Sequence, residues 1–521
     1  MKKILMLLTL LPFFAGAQII TLVAGNNIEG YSGDWGPATA AEFYDPAGVA
    51  VDHKGNIYIA DQDNQCIRRV DTSGIITTVA GHCSGGVASG PYIGDGGPAT
   101  LARLFAPTSV ALDGIGNLYI ATSNRIVKVD TSGIINSIAG TGSPGYSGDG
   151  GPATAAKLNS AWYVVADSAG NVYFSDASNN CIRKVTTSGV IYTIAGSPDT
   201  AGFRGDGGPA TAALLDNPVG VAIDCRGNFY FSDRFNARIR KIDAAGMIST
   251  IAGNGTNGFS GDGTPATAAQ INIVFGIAVD GDGNVFLADA NNNRLREISS
   301  SGIISTIAGI GPCASSGIGG PATAACLNYP MGIAVDSAFN IYFSDAFAPR
   351  ILKISGTGGP GTISGAATVC PDSSIILADT TGGGFWSCSN TAASVLGGVV
   401  RGIRSGIDTI KYSISGYCVL SATKTITVDS CTTGVVNTGV ANMNTKQAAA
   451  IKITPNPSNN LVTVTSANNI SSIAIVNFLG QILYTHKCNG ETEMQLDTAD
   501  LPPGTYLVKI NGSETAKFVK Q

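Results

Sequence analysis

The feature that most narrows the fold is a repeat. An Asp-x-x-Gly-Asn segment followed by a short apolar strand begins at Asp52. It returns at Asp113, Asp167, Asp224, Asp280 and Asp336, at spacings of 61, 54, 57, 56 and 56 residues, with Phe339 replacing the glycine in the last copy. Each unit reads as four strands. In the first copy they are expected over 48–51, 57–60, 67–70 and 75–80, separated by turns such as Gly55-Asn56 and Thr72-Ser73-Gly74. Ile57-Tyr58-Ile59-Ala60 has no polar alternation, as expected of a strand covered on both faces. Four antiparallel strands per unit make one blade of a propeller.

The ends of the repeat region predict how the ring closes. An outer strand ending in Ala-Gly occurs at Ala24, Ala80, Ala139, Ala195, Ala252 and Ala308. The first precedes any inner strand, and the sixth unit lacks one of its own. Residues 19–24 are therefore expected beside 351–354, giving an all-β, six-bladed β-propeller closed by the N-terminal strand. Ahead of the inner strands stands Gly-Asp-Gly-Gly-Pro-Ala-Thr, at Gly94, Gly148 and Gly205, with variants at Gly33, Gly261 and Gly317. These repeats resemble the NHL family of bacterial type over about residues 19–358. The resemblance implies a fold, since that family includes enzymes as well as binding modules.

Residues present in every unit serve the unit, so singular ones are the better functional candidates. By that criterion the Asp-x-x-Gly-Asn turn is structural, and Asp280-Gly-Asp282-Gly-Asn284 reads as a hairpin turn rather than a calcium loop. Asp34, Asp95, Asp149, Asp206 and Asp262 share one loop position, expected to brace the loop. Nearby, Tyr31, Tyr92, Tyr146, Phe203 and Phe259 pack on the neighbouring turn or form a ring for stacking on sugars. Variation concentrates where the chain enters the inner strand, at Ala47, Thr108, Trp162, Val219, Phe275 and Met331. The site expected there is a pocket at the channel mouth lined by Trp162, Phe275 and Met331, with Arg125, Arg204 and Arg234 nearby and Tyr31 and Tyr146 on the same face. The other reading is a filled channel top.

Chemistry is weighed against the residues available. His53 and His82 are expected on opposite faces and so share no metal. The propeller's glutamates are Glu29, Glu42 and Glu297, and no nucleophile elbow is present. No catalytic residue, metal ligand or cofactor is assigned. The function expected is a binding or adhesion module for a glycan or a protein. The alternatives are a lyase or hydrolase with carboxylates at the channel mouth, or a structural surface component.

Lys2 and Lys3, an apolar run over 4–14 and Ala15-Gly16-Ala17 read as a signal peptide over 1–17, too short to span a membrane. No transmembrane segment is expected after its cleavage. An oxidising compartment then permits disulfides among the 11 cysteines. The candidate pairs are Cys313 with Cys326, Cys66 with Cys83, and Cys370 with Cys418. Net charge of −5 without a basic cluster excludes nucleic acid as a partner.

After the propeller, over 18–358, two small β-sandwich domains are expected. Residues 359–431, with Trp386 in the core, resemble bacterial immunoglobulin-like spacers. A polar linker over 432–450 leads to residues 451–521. That segment carries Pro455-Asn456-Pro457, Gly480-Gln481 and Gly504-Thr-Tyr506, and resembles the type IX secretion C-terminal sorting domain. The resemblance implies recognition by the type IX machinery, and release or attachment at the outer-membrane surface.

Overall fold

The computed structural model describes residues 18–83, 91–198, 200–313, 316–355, 363–379, 385–414, 420–429, 452–454, 461–476, 482–499, 501, 504–511 and 514–520. Residues 1–17 and 432–450 lie outside them. Two compact units divide the chain, Met1–Cys431 and Thr432–Gln521.

Within the first unit, the repeat region builds antiparallel sheets in chain order. Sheet 1 is Pro46–Val51, Ile57–Asp61, Cys66–Val70 and Ile76–Ala80. Sheet 2 is Pro107–Leu112, Leu118–Thr122, Arg125–Val129 and Ile134–Ala139, with Gly97–Pro98 on its edge. Sheet 3 is Ala161–Ala166, Val172–Asp176, Cys181–Val185 and Ile191–Ala195, and sheet 4 is Pro218–Ile223, Phe229–Asp233, Arg238–Ile242 and Ile248–Ala252. Sheet 5 is Val274–Val279, Val285–Asp289, Arg294–Ile298 and Ile303–Ala308, with Thr264–Pro265 on its edge. Sheet 6 is Pro330–Val335, Ile341–Asp345 and Arg350–Ile354, and its fourth strand is Ile20–Ala24 from the N-terminal end, pairing Ile20 with Ile354 and Leu22 with Leu352.

The turn of each unit explains its repeat. Asp52 Oδ1 accepts from the backbone N–H groups of Lys54 and Asn56, and its Oδ2 accepts from the Asn56 amide. Asp280 makes the same bonds to Asp282 and Asn284, so its carboxylate is spent on its own hairpin. Small residues follow from the packing of inner strands. A Cβ on Gly220 would sit 1.9 Å from the Phe275 carbonyl, and one on Gly332 2.3 Å from that of Ala47, both on neighbouring sheets.

A second repeated device was not anticipated from the sequence. The middle residue of the third strand is a fully buried arginine in four sheets, Arg68, Arg183, Arg240 and Arg296. Each bridges two carboxylates: Arg183 reaches Asp149 at 2.6 Å and Asp176 at 3.2 Å, and Arg240 reaches Asp206 at 2.8 Å and Asp233 at 3.0 Å. The recurring loop aspartates thus hold buried guanidinium groups, which need paired charge to be tolerated inside.

Thr368–Val369, Leu420–Val428, Gly406–Ile414 and Phe385–Cys388 form one sheet. Ser374–Ile376, Val399–Gly402 and Ala393–Leu396 form another. Trp386 packs against Tyr412 at 4.7 Å beside a core containing Val400 and Ile426. In the second unit Lys452–Thr454, Leu461–Val476, Ile482–Asp497, Gly504–Ile510 and Glu514–Lys520 join in one connected sheet. Tyr506 is buried there with Ile453, Val464 and Val508, while Pro455, Asn456, Pro457, Gly480 and Gln481 lie outside the described residues.

Candidate functional site at the channel mouth

The chain enters each inner strand through a residue in the left-handed region: Asp45, Ala106, Ser160, Asn217, Ile273 and Tyr329, with φ between 44° and 64°. Such backbone is uncommon for any residue but glycine, and most of all for β-branched Ile273. Two residues further on are the variable positions singled out from sequence. Ala47, Thr108, Val219, Phe275 and Met331 are buried there, so the channel top is filled rather than open. Beneath it, Tyr163 crosses the axis and its hydroxyl donates to the Met331 carbonyl at 3.0 Å. Gly48, Gly220, Gly276 and Gly332 hold the corresponding positions in other sheets, leaving room on the axis for that one large side chain.

The result is a closed dish with an aromatic shelf. Trp162 stacks on Phe275 at 5.8 Å, Phe275 meets Tyr329 at 5.7 Å, and Tyr329 stacks on Phe347 at 4.5 Å and 5° between planes. The Arg234 guanidinium lies 4.5 Å from the Phe275 ring centre and 5.0 Å from that of Phe235. Its Nη1 donates to Asn217 Oδ1 at 3.3 Å.

Polar atoms in this dish are buried without partners. Asp45 Oδ1, Gln62 Oε1, Trp162 Nε1 and Arg234 Nε have no hydrogen-bond partner among the described residues. Such groups cost roughly 1–3 kcal/mol each when left unmade; they also occur at Nε of the buried Arg183, Arg240 and Arg296, and at the mouth they stand among aromatic rings. Burial, then the charges of Asp63 and Glu29, push the Asp45 carboxyl up to about 6. Burial also lowers Arg234 and raises the Tyr329 phenol, which feels both Arg234 and Asp45. Asp45 and Tyr329 were missed in the sequence because they sit in left-handed turns, and Gln62 and Phe347 because they sit in the loops after the second strands.

The remaining candidates lie elsewhere. Tyr31 and Tyr146 face the buried arginines, at 4.8 Å from Arg68 and 4.7 Å from Arg183, and their hydroxyls bond Asp34 and Asp149. Their rings are therefore walls of the ion pairs. Arg204 is exposed in its loop, where its backbone pairs with Leu214. Arg125 donates to the Gly140 carbonyl at 2.9 Å and faces Tyr92 at 5.6 Å, away from Trp162 in a separate rim cavity.

Cys66 is bridged to Cys83 and Cys313 to Cys326, with Cα atoms 5.4 Å and 5.6 Å apart. Cys370 is disulfide-bonded, but Cys418 lies outside the described residues, as does their expected pairing. Among the described residues no group of three or more His, Cys, Asp or Glu is placed to hold a metal ion.

With this geometry in view, residues 452–521 match the family described as the secretion system C-terminal sorting domain. Residues 26–92 and 198–260 match the teneurin NHL domain. These matches support NHL repeats, a β-propeller and a type IX C-terminal sorting domain within this chain, and secretion to the cell surface follows from the sorting domain. Human teneurin-1 is 32% identical over 236 residues, 41% of this chain and 8% of the teneurin. Protein SUPPRESSOR OF QUENCHING 1, chloroplastic, of Arabidopsis thaliana is 28% identical over 271 residues, 50% of this chain and 25% of that protein. The chain therefore spans a quarter or less of these relatives. Among solved structures, a Bacteroides thetaiotaomicron protein of unknown function has a TM-score of 0.49 at 20% identity, covering 65% of this chain and 76% of that one. An auxiliary nutrient binding protein of the same organism has a TM-score of 0.46 at 13% identity, with the same coverages. No helix among the described residues is long and apolar enough to cross a membrane.

Proposed function

We propose that this protein is a surface-displayed binding module that engages a glycan or protein ligand at the channel mouth. In this reading residues 18–358 form a six-bladed propeller closed by Ile20–Ala24, and 359–431 are an immunoglobulin-like spacer. Residues 432–450 are a linker and 451–521 direct export and surface delivery. The observation that carries it is the cluster of unpartnered buried polar atoms on Asp45, Gln62, Trp162 and Arg234, set on an aromatic shelf. The four side chains are partly exposed, so a ligand can seat on their outer atoms and on the rings beside them. Binding of the full chain to glycan and surface-protein arrays, beside an Arg234→Gln variant, tests it. A discrete ligand lost in the variant supports the reading, and a ligand held equally by both proteins refutes the mouth as its site.

One observation favours a second reading, a lyase or hydrolase. A carboxyl held at about 6, close enough to the Tyr329 phenol to raise it, suits general acid–base work near neutrality. Turnover of the array-identified ligand, abolished by Asp45→Asn while binding persists, distinguishes it from the module.

A further inference from the structure

Sheet 2 departs from the repeat in several places that meet at one rim. Its third strand has Val127 where four sheets bury arginine, in the same register opposite the second strand. Its second strand ends in Thr122 where the others end in aspartate. Its loop between those strands keeps only Ser123 and Asn124, against four residues between Asp61 and Cys66. The missing pieces include the asparagine that elsewhere closes the gap, as when Asn179 donates to the Gly145 carbonyl at 2.9 Å and to Asp176.

Removing these side chains leaves a cavity of about 500 Å³. That lies within the roughly 300–1,000 Å³ of small-ligand pockets. Thr122, Ser123, Thr141 and Ser143 line it with hydroxyl-bearing side chains, and Phe105 stands at it with its side chain 39% exposed. The residue aligned with Phe105 is Tyr44, Asn159, Asp216, Asn272 or Asn328 in the other sheets. Arg125 adds a positive charge with no carboxylate ion pair among the described residues.

Hydroxyl-bearing residues and a partly exposed ring lining one cavity match the two surfaces of a sugar, whose edge carries hydroxyl groups and whose face is C–H. We infer that the rim cavity of sheet 2 is a binding subsite for one or two pyranose rings, neutral or acidic, stacked on Phe105. This rests on the binding-module reading and adds a second site beside the mouth. Arg125 disfavours a cationic amino sugar there.

The test is ligand-observed NMR on the full chain with the methyl glycosides of glucose, galactose, mannose, N-acetylglucosamine and glucuronic acid. Methyl glucosaminide serves as the cationic control. The expected result is binding of at least one neutral or acidic glycoside, weakened at least tenfold by Phe105→Ala and unchanged by Ile115→Ser at an exposed position outside both sites. Circular dichroism melting checks that the variants fold, and a misfolded Phe105→Ala is replaced by Ser143→Trp, which places a bulky ring on the cavity lining. Binding lost only in Arg234→Gln overturns the rim site and leaves the mouth reading standing. Failure of every glycoside, or binding of peptides alone, overturns the sugar assignment without touching the mouth.

Discussion

Sheets 2 and 6 have both lost the buried arginine in mid-strand, and they differ in what replaced it. In sheet 6, Leu352 holds the arginine position and Ile318 the loop aspartate position, and the guanidinium has moved two residues to Arg350. Arg350 grips Asp345 through Nε at 3.0 Å and Nη2 at 2.7 Å, and the Cys313–Cys326 disulfide ties the loop. One staple was exchanged for another. Sheet 2 keeps Asp95, held by Tyr92 and the Ser137 N–H, but opens a cavity beside Tyr92 and Thr122. A scaffold repaired at one departure and left hollow at the other points to the hollow one as the specialised site.

The contrast is broken most severely in a sheet that keeps its arginine. Arg183→Ala leaves Asp176 buried without its cation and is expected to cost about 3–5 kcal/mol in urea unfolding. Copying sheet 2 instead, with Arg183→Val and Asp176→Thr together, is expected to cost less than the single change, since the carboxylate left behind, Asp149, is partly exposed and no fully buried charge remains. A double change that costs more than the single one contradicts the assignment of the pair as a buried-charge device. Next, Cys313→Ser with Cys326→Ser removes the replacement staple of sheet 6, with an expected loss of roughly 3 kcal/mol. Equal melting of oxidised and reduced protein speaks against it.

A third effect runs in the opposite direction. The Asp45 carboxyl titrates at about 6 when folded and near 3.9 when unfolded. Below pH 3.9 both forms hold the proton and nothing is lost. As pH rises from there to 6 the unfolded state ionises first, and stability falls. Asp45→Asn removes that loss, with an expected gain of about 2 kcal/mol at pH 7.5 and none at pH 3. A gain independent of pH rules out the buried carboxyl as its source. The smallest effect is expected at the rim, where Phe105→Ala changes stability by less than about 1 kcal/mol because its ring is partly exposed. A larger loss in melting assigns Phe105 to packing rather than to a ligand.

Much of the repeat was legible because each turn carries its own chemistry: Asp52 and its equivalents bond their own hairpins, and a local pattern suffices to read them. The buried pairs were legible in principle but were missed. Sheet 2 loses Arg and Asp together at Val127 and Thr122, and sheet 6 loses them together at Leu352 and Ile318. That joint loss is the trace a contact leaves among internal repeats. At the mouth, Trp162, Phe275, Met331 and Arg234 were grouped because they flank inner strands, and the structure brings them together. Asp45, Gln62 and Tyr329 were not, since Asp45 and Tyr329 sit in left-handed turns and Gln62 in the loop after a second strand, and Tyr163 closes the axis only because its counterparts are small. Arg125 was placed with the mouth residues because sequence gives the end of a strand but not the carbonyls that turn its side chain aside.

The central claim is that the mouth dish binds a ligand through Arg234 and its unpartnered neighbours. Its most direct test is thermal unfolding of the full chain and of Arg234→Gln, each with the array-identified ligand at about 100 times its dissociation constant for the unsubstituted protein. The account predicts stabilisation of about 2.7 kcal/mol in the unsubstituted protein and little in the variant. Equal stabilisation of both would contradict it.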